Sequence, residues 1–360
     1  DELYRTGLFG AVRPRLRPVE GRDDLADLEV GVRELESRSL GVEVGWGSYE
    51  MLRGGIHAED RNLLGYGRRL LIDVGASMKS WDVGATILDP WILGRNDILE
   101  LTGGFGFREE PSFDRRTLAF ELAVRHKFPG PYRGRLSYLY KDEKATNIFG
   151  VIDPIDERTL TTTAGIYGVL IRDTRDNPLI PTSGSITTLG LGWSSDALGA
   201  TLNFIEAKFG AATHFKLPND SVIAFGVDFI SKPILDDRQT LPIQERLFLG
   251  GPSNVRSFRQ DRLGPVAPTG DPAGGLTSLY AGIEWRQRVW QQFHTSLFAD
   301  FGIEDPQALS FSFEPGYGFG LGLHYYLPIG PIRVEVAYNP GPLFAEKRRW
   351  ALLLAIGFVF

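Results

Sequence analysis

The side chains best suited to a specific interaction are one arginine and two acids. Arg256 lies in ERLFLGGPSNVRSFRQDRLGP, residues 245–265, flanked by Val255, Ser257 and Phe258. Glu284 and Asp300 sit on the two alternating segments that follow it. If the 245–265 segment folds back onto them, the planar guanidinium fork reaches both carboxylates. Removing one partner of such a pair costs ~3–5 kcal/mol when the pair is dry, and less when it is wet. The residues alone leave a second reading open, in which each charge pairs with other charges around it.

Nothing else in the chain carries chemistry. There is no Cys, which excludes disulfides, thiolate metal sites and a cysteine nucleophile. His57, His126, His214, His294 and His324 show no ligand spacing, so neither a metal site nor a catalytic histidine is expected. GYGFGLG at 316–322 has the glycines of a nucleotide loop, but that fingerprint requires a turn into a helix. Here Gly316, Gly318, Gly320 and Gly322 alternate with Tyr317, Phe319, Leu321 and Leu323, which predicts a strand with one bare face. A bare face marks the close approach of another backbone, and the candidate visitor is the long connection 233–276. DTRDNPLIPTSG, residues 173–184, reads as a structural turn. A net charge of −6 argues against bulk nucleic-acid binding. The chain is thus read as a non-enzyme with no catalytic residue, metal or cofactor.

These residues are positioned by segments of period two, running from about residue 39 to the end of the 360-residue chain. In 277–288, Leu279, Ala281, Ile283 and Trp285 share one face, while Tyr280, Gly282, Glu284 and Arg286 share the other. In 117–126, Leu118, Phe120, Leu122 and Val124 oppose Glu121 and Arg125. A soluble sandwich also alternates, but its strands average about five or six residues, and these run to roughly ten to thirteen. They end in aromatics and Gly/Pro/Asp turns, as membrane barrels do. A mean hydropathy of −0.12 fits, because lipid-facing and lumen-facing residues cancel. No apolar run reaches the length of a transmembrane helix. The expected fold class is all-β: a 16-stranded antiparallel transmembrane β-barrel over 38–360, its first strand near 39–47 and its last near 348–360. Residues 233–276 are expected to fold into the lumen. The even strand count puts both ends on one side, and the longer loops on the other.

Residues 1–37 differ. Asp1–Phe9 reads as the end of a helix followed by Gly10, and 11–19 and 27–36 read as two strands about a Gly21–Asp24 turn. That is too little to fold alone and is expected to be the C-terminal part of a small α/β domain.

Together these pieces resemble the BamA/TamA family of outer-membrane protein assembly barrels, along nearly the whole chain. LYRTGLFGAVRPRL (3–16) is similar to the second half of the family's periplasmic POTRA domain, and GSYEMLRGG with RNLLGYGRRL (47–70) to its opening strands. DTRDNPLIPTSG resembles its mid-barrel turn, and FLGGPSNVRSF its signature VRGF/VRGY loop, with Ser257 where the family usually has Gly. GIEWR, FADFG and GYGFGLGLHYYLPIGPIR resemble its strands 12 to 15. The resemblance implies that Arg256 packs inside the barrel against Glu284 and Asp300. It also implies a function: folding and inserting β-barrel proteins into the outer membrane of a Gram-negative-type bacterium, with both termini periplasmic.

The implied partners are unfolded outer-membrane proteins, outer-membrane lipid or lipopolysaccharide, and accessory lipoproteins or a periplasmic partner. A BamA-like chain is favoured over a TamA-like one that assembles autotransporters. A two-partner secretion transporter shares the fold and the loop; a passive porin would lack the inward loop and the periplasmic domain. The expected working part is a lateral seam between the first strand, with Gly41, Val44, Gly45 and Gly47, and the last, with Leu354, Ile356, Gly357 and Phe360. Glycine weakens strand order, so this closure is expected to be loose.

Overall fold

Long segments of strict alternation have one way to satisfy every backbone N–H and C=O against lipid, which is to close on themselves. The computed structural model describes residues 7–19, 21–94, 96–149, 160–237, 240–327 and 330–356. Among these, β1 (Phe9–Val19) and β2 (Arg22–Glu34) form a two-stranded sheet. Sixteen further strands form a closed barrel. They are β3 (Arg38–Gly47), β4 (Met51–Leu63), β5 (Arg68–Ser77), β6 (Ser80–Asp89), β7 (Asp97–Glu109), β8 (Asp114–Lys127), β9 (Tyr132–Thr146) and β10 (Leu160–Asp173). Then come β11 (Gly184–Ser194), β12 (Phe204–Leu217), β13 (Ser221–Ser231), β14 (Thr277–Trp290), β15 (Phe293–Asp305), β16 (Gly316–Leu327), β17 (Gly330–Tyr338) and β18 (Trp350–Ile356). Each pairs antiparallel with the next, and β18 returns to β3. All sixteen match the alternating segments in the sequence.

The alternation sorts side chains as the periodicity requires. On β8, Leu118, Phe120 and Leu122 point out while Thr117, Ala119, Glu121 and Ala123 point in. On β16, Phe319, Leu321 and Leu323 are exposed, and Gly316, Gly318, Gly322 and His324 are buried. The inner wall carries paired charges, among them Arg135–Glu121 at 2.5 Å and Arg115–Glu110 at 2.9 Å. An outward apolar surface and a polar interior are the transmembrane arrangement. The connections at the end bearing the termini are tight where the chain allows it. Three residues, Pro218–Asp220, join β12 to β13, and Asn219 (φ 59°) and Asp220 (φ 56°) both occupy the left-handed region that tight turns use. The opposite end holds the longest connection, between β13 and β14.

The N-terminal segment departs from its reading in two ways. Phe9 and Gly10 lie in β1 rather than at a helix end, and residues 1–6 fall outside the described residues. Gly10 is there for packing: a Cβ would stand 2.8 Å from Leu35 Cδ2. β2 starts at Arg22, so the turn is shorter than Gly21–Asp24. No helix is found among the described residues of this segment, so its α/β character is not evident. Leu16 and Leu28, register partners, lie exposed on one face of the hairpin.

Closure is uneven. The β17–β18 ladder has seven register pairs, whereas β18 and β3 share two among the described residues, Ala355↔Gly47 and Ile356↔Trp46. The next rung is replaced by a side chain. Ser48 Oγ accepts from the Leu354 N–H at 2.8 Å and donates to the Leu354 carbonyl at 3.1 Å. Leu354 therefore faces Ser48.

Candidate functional site

The β13–β14 connection lies inside the barrel and is shaped before it meets the wall. Bridges Leu247↔Gly275, Leu249↔Leu263 and Val266↔Pro272 fold it as an irregular hairpin. Its tip turns at Gly250 (φ 111°), where a Cβ would come within 2.7 Å of the Arg259 carbonyl, so no other residue fits. Asn254 Oδ1 accepts from the N–H groups of Gly250 (2.8 Å) and Val255 (2.7 Å), which fixes the turn that presents Arg256. Leu249, Val255, Phe258 and Leu263 form a buried apolar cluster with Tyr280 and Phe344 against it.

That cluster needs a wall without side chains. A Cβ on Gly302 would meet Val255 Cγ2 at 2.6 Å, one on Gly316 would meet Leu263 Cδ1 at 2.5 Å, and one on Gly318 would meet Ser257 Oγ at 3.0 Å. The bare strip of β16 is thus only half occupied by the loop. Gly320 faces Phe298, 2.3 Å from a Cβ placed there, and Gly322 faces Ser296 Oγ and His324 Nε2. The reason is visible one layer in. With Gly320 beneath it, Phe298 lies against the wall, and the Arg256 guanidinium carbon stands 3.4 Å above its ring centroid.

Arg256 is 7% exposed. Its Nε and Nη2 donate to the two oxygens of Asp300, each at 2.9 Å, and its backbone N–H donates to Asp300 Oδ2 at 3.1 Å. Nη1 donates to Glu284 Oε2 at 2.6 Å and to Glu335 Oε1 at 3.5 Å. Burial opposes its charge, but the bonds to Asp300 and the charges of Glu284 and Glu335 outweigh it and hold the guanidinium above its ordinary range. Tyr280 donates to Asp300 Oδ1 at 3.3 Å, and Ser257 Oγ donates to the Tyr317 carbonyl at 2.5 Å. The hydroxyl at position 257 therefore adds a bond to the wall. Toward β18, Arg259 grips Glu346 through Nη2 (2.7 Å) and Nε (3.0 Å), and Arg262 Nη1 donates to the Ala345 carbonyl at 2.9 Å.

The structure brings Val255, Arg256, Ser257, Phe258, Glu284 and Asp300 together. Glu335 and Phe298 join them and were not picked out from the sequence, although the alternation of PIRVEVAY and FHTSLFADFG turns both inward. The residues chosen at the seam are less united. Gly47 and Ile356 take part in the two rungs, and Leu354 is clipped by Ser48. Gly45 lies within the seam, where a Cβ would meet Arg53 Nε at 2.7 Å and the Ile356 carbonyl at 3.0 Å. Gly41 and Val44 have no β18 partner among the described residues, and Gly357 and Phe360 fall outside them. Among the described residues no group of His, Asp or Glu could hold a metal.

A sixteen-stranded barrel whose lumen holds an arginine-anchored loop defines a class of outer-membrane barrels. An Omp85 superfamily domain matches residues 62–347, and the chain belongs to that superfamily. It is 24% identical over 358 residues to the outer membrane protein assembly factor BamA of Nitratidesulfovibrio vulgaris, covering 94% of this chain and 43% of that protein. The chain thus spans less than half the length of that relative. It is also 24% identical over 379 residues to the sorting and assembly machinery component 50 homolog of Xenopus tropicalis, covering 98% of this chain and 72% of that protein. In fold it is similar to BamA from Haemophilus ducreyi lacking POTRA domains 1-3 (TM-score 0.84, 17% identity, 99% of this chain, 77% of that one). It is less similar to CdiB from Acinetobacter baumannii (TM-score 0.63, 13% identity, 98% and 66%).

Two outcomes follow from the loop's chemistry. Arg256→Ala leaves Asp300 and Glu335 buried without their cation and is expected to cost about 3–5 kcal/mol. The check is the denaturant or thermal midpoint together with protease cleavage within 233–276; Arg256→Lys, which loses the fork, recovers only part. Second, burial, with Glu110 nearby, lifts the Asp261 carboxyl to about 7. The folded chain then binds a proton that the unfolded chain has lost, so stability falls as pH rises from about 4 through 7. Asp261→Asn should flatten that slope in a pH series of unfolding midpoints, and an unchanged slope would assign it elsewhere.

Proposed function

We propose that this chain folds and inserts β-barrel proteins into an outer membrane by opening laterally between β3 and β18. The observation that carries the reading is that, among the described residues, these strands share two rungs, beside neighbours paired along their length. Unpaired backbone groups facing lipid cost several kcal/mol each. A strand with free donors and acceptors is a template for another strand, and an unfolded substrate strand would relieve the cost of exposing it. Gly41, Gly45 and Gly47 reduce the order of β3 and favour exchange of its partner. The relatives named as assembly factors and assembly-machinery components support the same reading.

On this reading the substrates are unfolded outer-membrane proteins. The outer surface meets membrane lipid or lipopolysaccharide, and accessory lipoproteins or a periplasmic partner work at the end bearing the termini. In a Gram-negative-type bacterium both termini are periplasmic. Residues 1–37 are then the C-terminal part of a POTRA domain, and 38–360 the barrel, with 233–276 its lumen loop. The exposed Leu16 and Leu28 favour this, since such a face is covered in a complete domain. A second reading, a two-partner secretion transporter, draws on the likeness to CdiB. It uses the lumen rather than the seam.

The register picks the test. Gly47 and Ala355 are paired residues, and a side chain on Gly47 meets open space. Gly47→Cys with Ala355→Cys should form a disulfide across the seam. In proteoliposomes, the oxidised form should lose insertion of a substrate barrel and regain it on reduction. Full insertion by the oxidised form would sink the lateral route, and retained export of a secreted substrate would favour the second reading.

A further inference from the structure

The loop's second root, on the far wall, has the opposite sign. Glu245 ends a single 3₁₀ turn (Ile243–Glu245) and is 2% exposed. Its Oε1 accepts from Thr163 Oγ1 at 2.6 Å and lies 2.8 Å from Lys141 Nζ; its Oε2 lies 3.2 Å from Lys232 Nζ. Lys232 Nζ also donates to the Glu245 carbonyl at 2.8 Å. Lys141 (β9) and Thr163 (β10) belong to the wall, and Lys232 directly follows β13. The alternation of charge continues along the wall, with Lys141 to Glu143 at 2.9 Å and Lys232 to Glu206 at 3.5 Å. Apolar packing reinforces the contact, because Ile243 is buried with Phe113 and Ala145, and Phe248 packs against them. Gln244 Nε2 adds a bond to Thr161 Oγ1 at 3.2 Å.

We infer that Glu245 is a positioning residue that locks the lumen loop to the β9–β10 wall, opposite Arg256, and that this lock keeps the lumen closed to ions. The loop is then a strut held at two charged roots. Arg256 fixes it to β14, β15 and β17; Glu245 fixes it to β9, β10 and the end of β13. With one root alone, the loop can swing about it and leave a water path along the opposite wall. With both, the residues between the roots are wedged across the lumen, in keeping with the burial of Leu249 and Val255. The inference does not depend on the insertion reading, because it concerns ion flux through the purified protein without substrate.

The test is planar-bilayer recording of the whole chain in potassium chloride. Glu245→Gln preserves shape and the bond from Thr163 but leaves Lys141 and Lys232 short of one negative charge. Mean conductance should rise several-fold, and under a salt gradient the reversal potential should shift toward anion preference. Glu245→Asp should restore low conductance in part. Lys141→Gln, which leaves the loop sequence intact, reads the same contact from the wall if Glu245→Gln fails to fold: its conductance should also rise, with a shift toward cations. Folding is scored by heat-modifiable gel mobility. Folded variants with unchanged conductance would overturn the inference. So would increased conductance without opposite selectivity shifts, since that is what simple loosening of the loop produces.

Discussion

A guanidinium in a barrel lumen has to be matched there, and most of this structure can be read as what matching Arg256 requires. Three carboxylates from three strands surround it, and Asp300 alone accepts three of its bonds, one from the backbone. The backbone bond matters because it ties the position of the chain, not only of the side chain, to the wall. Below the guanidinium lies Phe298, and below Phe298 lies Gly320. The layers are causally ordered: bare backbone admits a flat ring, and the ring gives the cation a face. Around them, Gly302, Gly316 and Gly318 admit the apolar cluster that excludes water. Pairing in such a place gains from low dielectric only because every participant is satisfied.

The barrel was legible because its physics is periodic. In β14 and β15 the same alternation that separates Leu279 and Ile283 from Glu284, and Leu297 and Phe301 from Asp300, fixes which side chains enter the lumen. Glu335 was available by the same rule. The loop was legible only in part. Arg256 stands out as a lone cation between apolar residues, but Glu245 sits in LPIQERLF, where no period says which way a side chain faces. Its role arises from tertiary contact with Lys141 and Thr163, about a hundred and about eighty residues away in sequence. The glycine strip shows a third kind of partial legibility. Absence of a side chain announces close approach but not by what, and at Gly320 the visitor is a neighbouring ring rather than the loop.

The loop also touches the element that enters the last strand. Arg259 and Arg262 hold Glu346 and Ala345, and Phe258 packs at a tilt against Phe344 with ring centroids 5.9 Å apart, so the β17–β18 connection packs on the same buried cluster as Val255. The loop that carries Arg256 and the connection that leads into the seam strand therefore share one hydrophobic centre. A rigid interior and a short closing ladder are compatible for that reason: the loop stabilises β18 from its N-terminal end, while among the described residues β18 meets β3 through two rungs and a serine.

The location of the weak ladder follows from connectivity. Every other pair of neighbouring strands in the barrel is consecutive in sequence, so a turn holds its partners together even when rungs break. β3 and β18 are the exception, separated by nearly the whole chain, and nothing covalent keeps them close. Breaking a rung in a hairpin frees little chain, whereas breaking one at the closure frees two strand ends at once. A barrel that must open without unfolding therefore has one place to do it at low cost. In this chain that place has the fewest rungs among the described residues, a glycine-bearing first strand, and a side-chain clip from Ser48 to Leu354.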